Sequence, residues 1–112
     1  MCYQYDYRNI KRDLRNWDYN ILFIRMPSNK FIELGGDSQK NEFVNNISNA
    51  YNIVDDNIKI ILYTVDKNNN PVLFGEKSIC AFLYKYPNDL NNIRWSVDFP
   101  SLENDPSELL HV

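Results

Sequence analysis

Few residues in this chain have the types and spacing that chemistry requires. The densest group is Gly35-Gly36-Asp37-Ser38, with Lys40 two places on. A serine at the start of a helix is exposed and sits where anions are stabilised, and a nearby lysine can reach such an anion. The segment lacks the fuller GxxxxGK[ST] phosphate loop and the GxGxxG dinucleotide pattern. The one histidine, His111, stands next to the last residue, a poor platform for precise catalysis. Cys2 and Cys80 are too few for a disulfide framework, and no ligand pair has the spacing of a zinc site. Asp55 and Asp56 can contribute to a cation site or simply close a helix. Glu33 and Glu42 can do general acid–base work only if burial raises their pKa values. Ser38 has no histidine to activate it. No catalytic residues, metal or cofactor are therefore assigned, and an enzyme is the less favoured class.

The stretch FIELGGDS resembles the attachment motif of acyl and peptidyl carrier domains, in which an aromatic residue precedes LGGDS or LGGHS. The matching residues are Phe31, Leu34, Gly35, Gly36, Asp37 and Ser38, about eight positions of the 112 when the gaps are counted. The resemblance implies that Ser38 carries a phosphopantetheine arm and that Asp37 helps place the modifying enzyme. It also implies a small four-helix bundle, whereas the runs on both sides of the motif read as strands. Gln39 stands where carriers usually have an apolar residue. Strand packing by Phe31 and Leu34, two turn glycines and a helix cap at Asp37 or Ser38 account for the same residues without chemistry.

The charge distribution offers a second candidate. Residues 8–15 hold four of the 12 basic side chains and one of the 15 acidic ones. Arg8, Lys11, Arg12 and Arg15 recur at helical spacing, so a basic face can meet phosphates, anionic lipid or an acidic partner. The whole chain is acidic, with a formal net charge of −3, which disfavours a general nucleic-acid binder.

These groups must be positioned by elements that the pattern partly specifies. Tyr7, Ile10, Leu14 and Trp17 at i, i+3, i+7 and i+10 predict a short N-terminal helix over 7–17, although YQYDY alternates as a strand would. NILFIRM and KFIEL read as a strand pair joined by PSNK. Phe43, Ile47, Ala50, Tyr51 and Val54 form the apolar stripe of a main helix over about 38–54. NIKIILYTVD and PVLFG read as strands joined by KNNNP. EKSICAFLYKY suits a helix or a central strand, with the meander-like neighbours favouring a strand, and IRWSVDF reads as a last strand. Asp105, Pro106 and Glu108 stand in capping-box order.

The expected fold is α+β: one main helix and a short N-terminal helix on a mostly antiparallel sheet of about five strands. A single compact domain spanning 1–112 is expected, with a flexible tail from about 101. At 44% hydrophobic and 112 residues the chain can build its own core. No run approaches the ~20 apolar residues of a membrane span, and the N-terminus lacks the apolar core of a secretory signal, so a cytoplasmic protein is expected.

The function expected is a small acidic protein-binding module, such as a stoichiometric inhibitor or immunity protein that blocks a basic partner like a nuclease toxin. Its candidate contacts are Asp55, Asp56, Asp98, Glu103, Asp105 and Glu108, with Tyr51 and Trp95 as aromatic anchors. The alternatives are a small nucleic-acid binder using Arg8, Lys11, Arg12 and Arg15, and a carrier-like protein modified at Ser38. Homo-oligomerisation is left open.

Overall fold

The computed structural model describes residues 3–12, 17–51, 53 and 58–99, with Arg12 and Trp17 described by their backbone alone. In chain order the elements are β1 (Gln4–Arg12), β2 (Trp17–Arg25), α1 (Ser28–Glu33), α2 (Asp37–Ala50), β3 (Ile58–Val65), β4 (Pro71–Phe74), α3 (Lys77–Lys85) and α4 (Asn88–Asn91). The four strands form one sheet in the order β1-β2-β3-β4. β1 and β2 pair antiparallel, β2 and β3 parallel, and β3 and β4 antiparallel.

The parallel pair decides the architecture. Parallel neighbours need a long crossover, and α1 and α2 supply it between β2 and β3. The two central strands are buried on both faces, which is why they read as continuous apolar runs rather than alternating ones. Ile21 and Phe23 join Ile61, Tyr63 and the α3–α4 residues Ile79, Cys80, Leu83 and Leu90 on one face. Leu22, Ile24, Ile60 and Leu62 face the other way, towards Phe31 and Leu34 and the α2 residues Phe43, Val44 and Ile47.

Several expectations are corrected. The N-terminal element is a strand, not a helix: β1 pairs with β2 along its whole length, from Gln4↔Arg25 to Arg12↔Trp17. Tyr3, Tyr5 and Tyr7 pack on the α2 side, while Ile10 is buried on the other face. The period-2 alternation of YQYDY therefore prevails over the helical spacing, because each strand face finds a core to enter. The sheet has four strands rather than about five, and it is mixed.

KFIEL is not a strand. Residues 28–33 form α1, which places Phe31 and Leu34 against the core while Ile32 is 74% exposed. EKSICAFLYKY is a helix, with Ile79, Cys80 and Leu83 buried on one side. IRWSVDF contributes a single two-residue bridge, Tyr5↔Ser96, in place of a fifth strand. The main helix runs Asp37–Ala50, shorter than expected at its C-terminal end. The segment from 101 onward, including the Asp105–Glu108 cap, lies outside the described residues.

The β3–β4 turn follows directly from its residue types. Asp66 Oδ1 accepts the N–H groups of Asn68 and Asn70 at 2.8 and 2.9 Å, and Asn69 takes φ 65°, a left-handed conformation that asparagine tolerates. Pro71 then opens the edge strand, where a missing N–H is harmless.

Candidate functional site

The glycine segment folds back on itself. Gly35 has φ +100°, which favours glycine. Gly36 is the N-cap of α2, and its N–H donates to Gln39 Oε1 at 3.1 Å. This is half of a capping box, because a glycine has no side chain to complete it. The cap is thus Gly36 rather than Asp37 or Ser38. Lys40 Nζ donates to the Gly35 carbonyl at 2.6 Å and lies 4.8 Å from the Phe31 ring centroid. The lysine that was a candidate anion ligand therefore closes the turn. Ser38 is exposed in the first turn of α2. The segment resembling a carrier motif sits between two helices that cover a sheet, not within a four-helix bundle.

The basic segment is likewise redistributed. On strand β1, Arg8 and Lys11 point to opposite faces. Arg8 forms an ion pair with Asp6 at 2.6 Å and donates to the Asn92 carbonyl at 2.9 Å. Lys11 is paired with Asp18 at 4.0 Å. Arg15 and the side chain of Arg12 lie outside the described residues. Residues 8–12 are strand, so Arg8 and Lys11 do not share a helical face.

Among the expected partner contacts, Tyr51, Trp95 and Asp98 can be placed. Asp55, Asp56, Glu103, Asp105 and Glu108 lie outside the described residues. Tyr51 is the C-cap of α2 and is 42% exposed. Its ring stacks on Phe99 at 3.7 Å with a 7° interplanar angle, and Tyr5 meets the same Phe99 edge-on at 5.0 Å. Burial, then the neighbouring phenols of Tyr51 and Tyr3, push the Tyr5 hydroxyl above its ordinary pKa. Val97 is 66% exposed and Asp98 is exposed beside it.

This 95–99 segment is held on the rim of β1. Tyr5 and Ser96 exchange both backbone hydrogen bonds, at 2.7 and 2.9 Å. Asp6 Oδ2 accepts from Arg8 Nε at 2.8 Å and from the Arg94 N–H at 3.2 Å. Trp95 differs from the expected free anchor. It is half-buried, 4.9 Å from the Tyr63 ring, and its ring lies 5.7 Å from the Arg25 guanidinium carbon.

The sequence reading missed Arg25 altogether, because it stands alone at the end of an apolar run and shows no spacing signal. Among the described residues, no group of three or more His, Cys, Asp or Glu side chains can hold a metal ion, and no helix is long and apolar enough to cross a membrane. Cys80 is free and buried. No protein-family model matches the chain, and neither the curated proteins nor the solved structures contain a significant match to it.

Proposed function

We propose that the chain is a protein-binding module that acts stoichiometrically on a basic partner, in the manner of an inhibitor or immunity protein. The observation that carries this reading is the surface formed by the Tyr51–Phe99 stack, Val97 and Asp98. Aromatic rings fixed before binding lose little conformational entropy on contact, and such residues dominate interface energies. Here Tyr51 is held by its stack, and the 96–99 segment is held by the Ser96 bridge. The exposed carboxylate of Asp98 supplies a charge opposite to a basic partner. The net charge of −3 favours the same encounter at long range.

The test is affinity capture from the native source at low and high salt, with wild type and a Tyr51→Ala/Asp98→Lys double variant. One stoichiometric basic protein that survives salt with wild type and is lost with the variant supports the reading. The activity of that protein is then assayed with and without the module. Capture of nucleic acid alone, released by salt, sinks it in favour of phosphate contacts.

A further inference from the structure

A second grouping of rings lies on the face of the sheet opposite the Tyr51–Phe99 surface. Phe99 packs with the α2-side residues, whereas Trp95 packs with Tyr63 and the α3–α4 residues. Strand pairing sets Gln4, Arg25 and Tyr63 side by side, through Gln4↔Arg25 and Arg25↔Tyr63. Residues directly opposite in neighbouring strands share a face, so all three side chains stand on the Trp95 side. Gln4, Arg25 and Trp95 are half-buried, and Tyr63 is buried beneath them.

Arg25 is held in place but not neutralised. Its guanidinium carbon lies 5.6 Å from the Tyr63 ring centroid and 5.7 Å from that of Trp95, and the two rings are 4.9 Å apart. Contact with ring faces restrains the planar group and leaves its N–H fork available. Among the described residues the guanidinium has neither an ion pair nor a hydrogen-bond acceptor. The ion pairs there join Arg8 to Asp6, Lys11 to Asp18, Lys30 to Glu33 and Lys59 to Glu76. Asp6 stands two residues beyond Gln4 and so shares its face, but its Oδ2 is engaged by Arg8 and by the Arg94 N–H. A partly desolvated cation is thus left without a counter-charge, where a pairing gains more than it would in open water.

We propose that this face receives an acidic side chain of a partner protein. The Asp or Glu carboxylate meets the Arg25 fork in a bidentate pair, the Gln4 amide donates to the same group, and the apolar stem lies on Trp95. Two features select a protein over a phosphate. Arginine, tryptophan and tyrosine together are the composition of interface hot spots, and here the rings are fixed before contact, which lowers the entropy lost on binding. A single unpaired cation suits one carboxylate, whereas nucleic acids are met by several lysines or arginines, and Arg8 on the same face is already neutralised by Asp6. This patch does not rest on the Tyr51–Phe99 surface and stands or falls separately from it.

The test is an NMR titration of the full chain with the blocked peptide acetyl-Leu-Glu-Leu-amide, its glutamine counterpart and, separately, inorganic phosphate. Saturable shifts of the Arg25 Nε–H, the Trp95 indole N–H and the Gln4 side-chain amide are expected with the glutamate peptide. The glutamine peptide and the Arg25→Gln variant should each bind roughly tenfold more weakly or worse, the loss of a charge-assisted pair. Arg25→Lys keeps the charge but not the fork, and should also bind more weakly than wild type.

Should Arg25→Gln fail to fold, Arg25→Lys and Gln4→Ala decide, each with a weaker affinity expected. Absence of saturable shifts at Arg25 and Trp95 overturns the proposal, as does equal affinity for the glutamine peptide. Undiminished binding in the Arg25 variants overturns it equally. Phosphate binding at Arg25 more tightly than the glutamate peptide would assign the guanidinium to free anions instead.

Discussion

Replacing Asp6 with alanine tests whether the 92–96 segment is anchored as described. Asp6 Oδ2 accepts Arg8 Nε at 2.8 Å and the Arg94 N–H at 3.2 Å, and it pairs with Arg8 Nη2 at 2.6 Å. The two side chains are only 13% and 25% exposed. A fully solvated pair contributes roughly 0.2–1 kcal/mol, and a hydrogen bond to a charged group about 1.5–3 kcal/mol. The shielding places this pair above the first range, and the substitution leaves the Arg8 guanidinium with the Asn92 carbonyl but no counter-charge. A loss of about 2 kcal/mol is expected, or a fall of about 8 °C in Tm for a chain of this length. Arg8→Ala and the double variant close a thermodynamic cycle, with a coupling of about 1 kcal/mol or more. Urea denaturation supplies the free energies. Amide hydrogen exchange at Tyr5 and Ser96 should quicken, because the bridge between them adjoins the lost carboxylate. A destabilisation below about 0.5 kcal/mol, with Tyr5 and Ser96 exchanging at the wild-type rate, would refute the anchoring argument and return Arg8 to the pool of available cations.

Three further outcomes follow from the packing. Gly75→Ala should destabilise by about 1–3 kcal/mol, since a Cβ there collides with fully buried Ile61 and lies 3.1 Å from the Ile60 carbonyl; thermal melting reads it. Tyr84→Phe removes the acceptor of the Leu73 N–H, now 2.7 Å from the Tyr84 hydroxyl. Water can replace it at this edge, so the loss should stay near 0.5–1 kcal/mol, with faster exchange of the Leu73 amide. Burial, and then the charge of Glu76, push the Cys80 thiol above its ordinary 9.0. The folded protein therefore holds that proton more tightly than the unfolded chain. Its contribution to stability is complete below about pH 8.5 and declines as pH rises towards the folded value. Urea midpoints in a Cys2→Ser background should fall across this alkaline window, and Cys80→Ala should fall less.

The parts of the fold legible in the sequence are those whose pattern admits one reading. Phe43, Ile47 and Tyr51 recur at helical spacing over a stretch too long for a buried strand, and α2 is where they predict it. The apolar runs of β2 and β3 need two covered faces, and the structure covers both. Where a pattern admits two readings, tertiary contacts decide. Tyr7 and Ile10 fit one helical face, but as strand residues they enter opposite cores. Phe31 and Leu34 fit a strand end, yet i, i+3 spacing on a single helical turn hides both and leaves Ile32 outside. Ile79, Cys80 and Leu83 were ambiguous for the same reason. The candidate site was less legible still. Charge spacing grouped Arg8 with Lys11 through a helix that does not form, whereas Arg25 becomes noteworthy only once Tyr63 and Trp95 are placed beside its guanidinium.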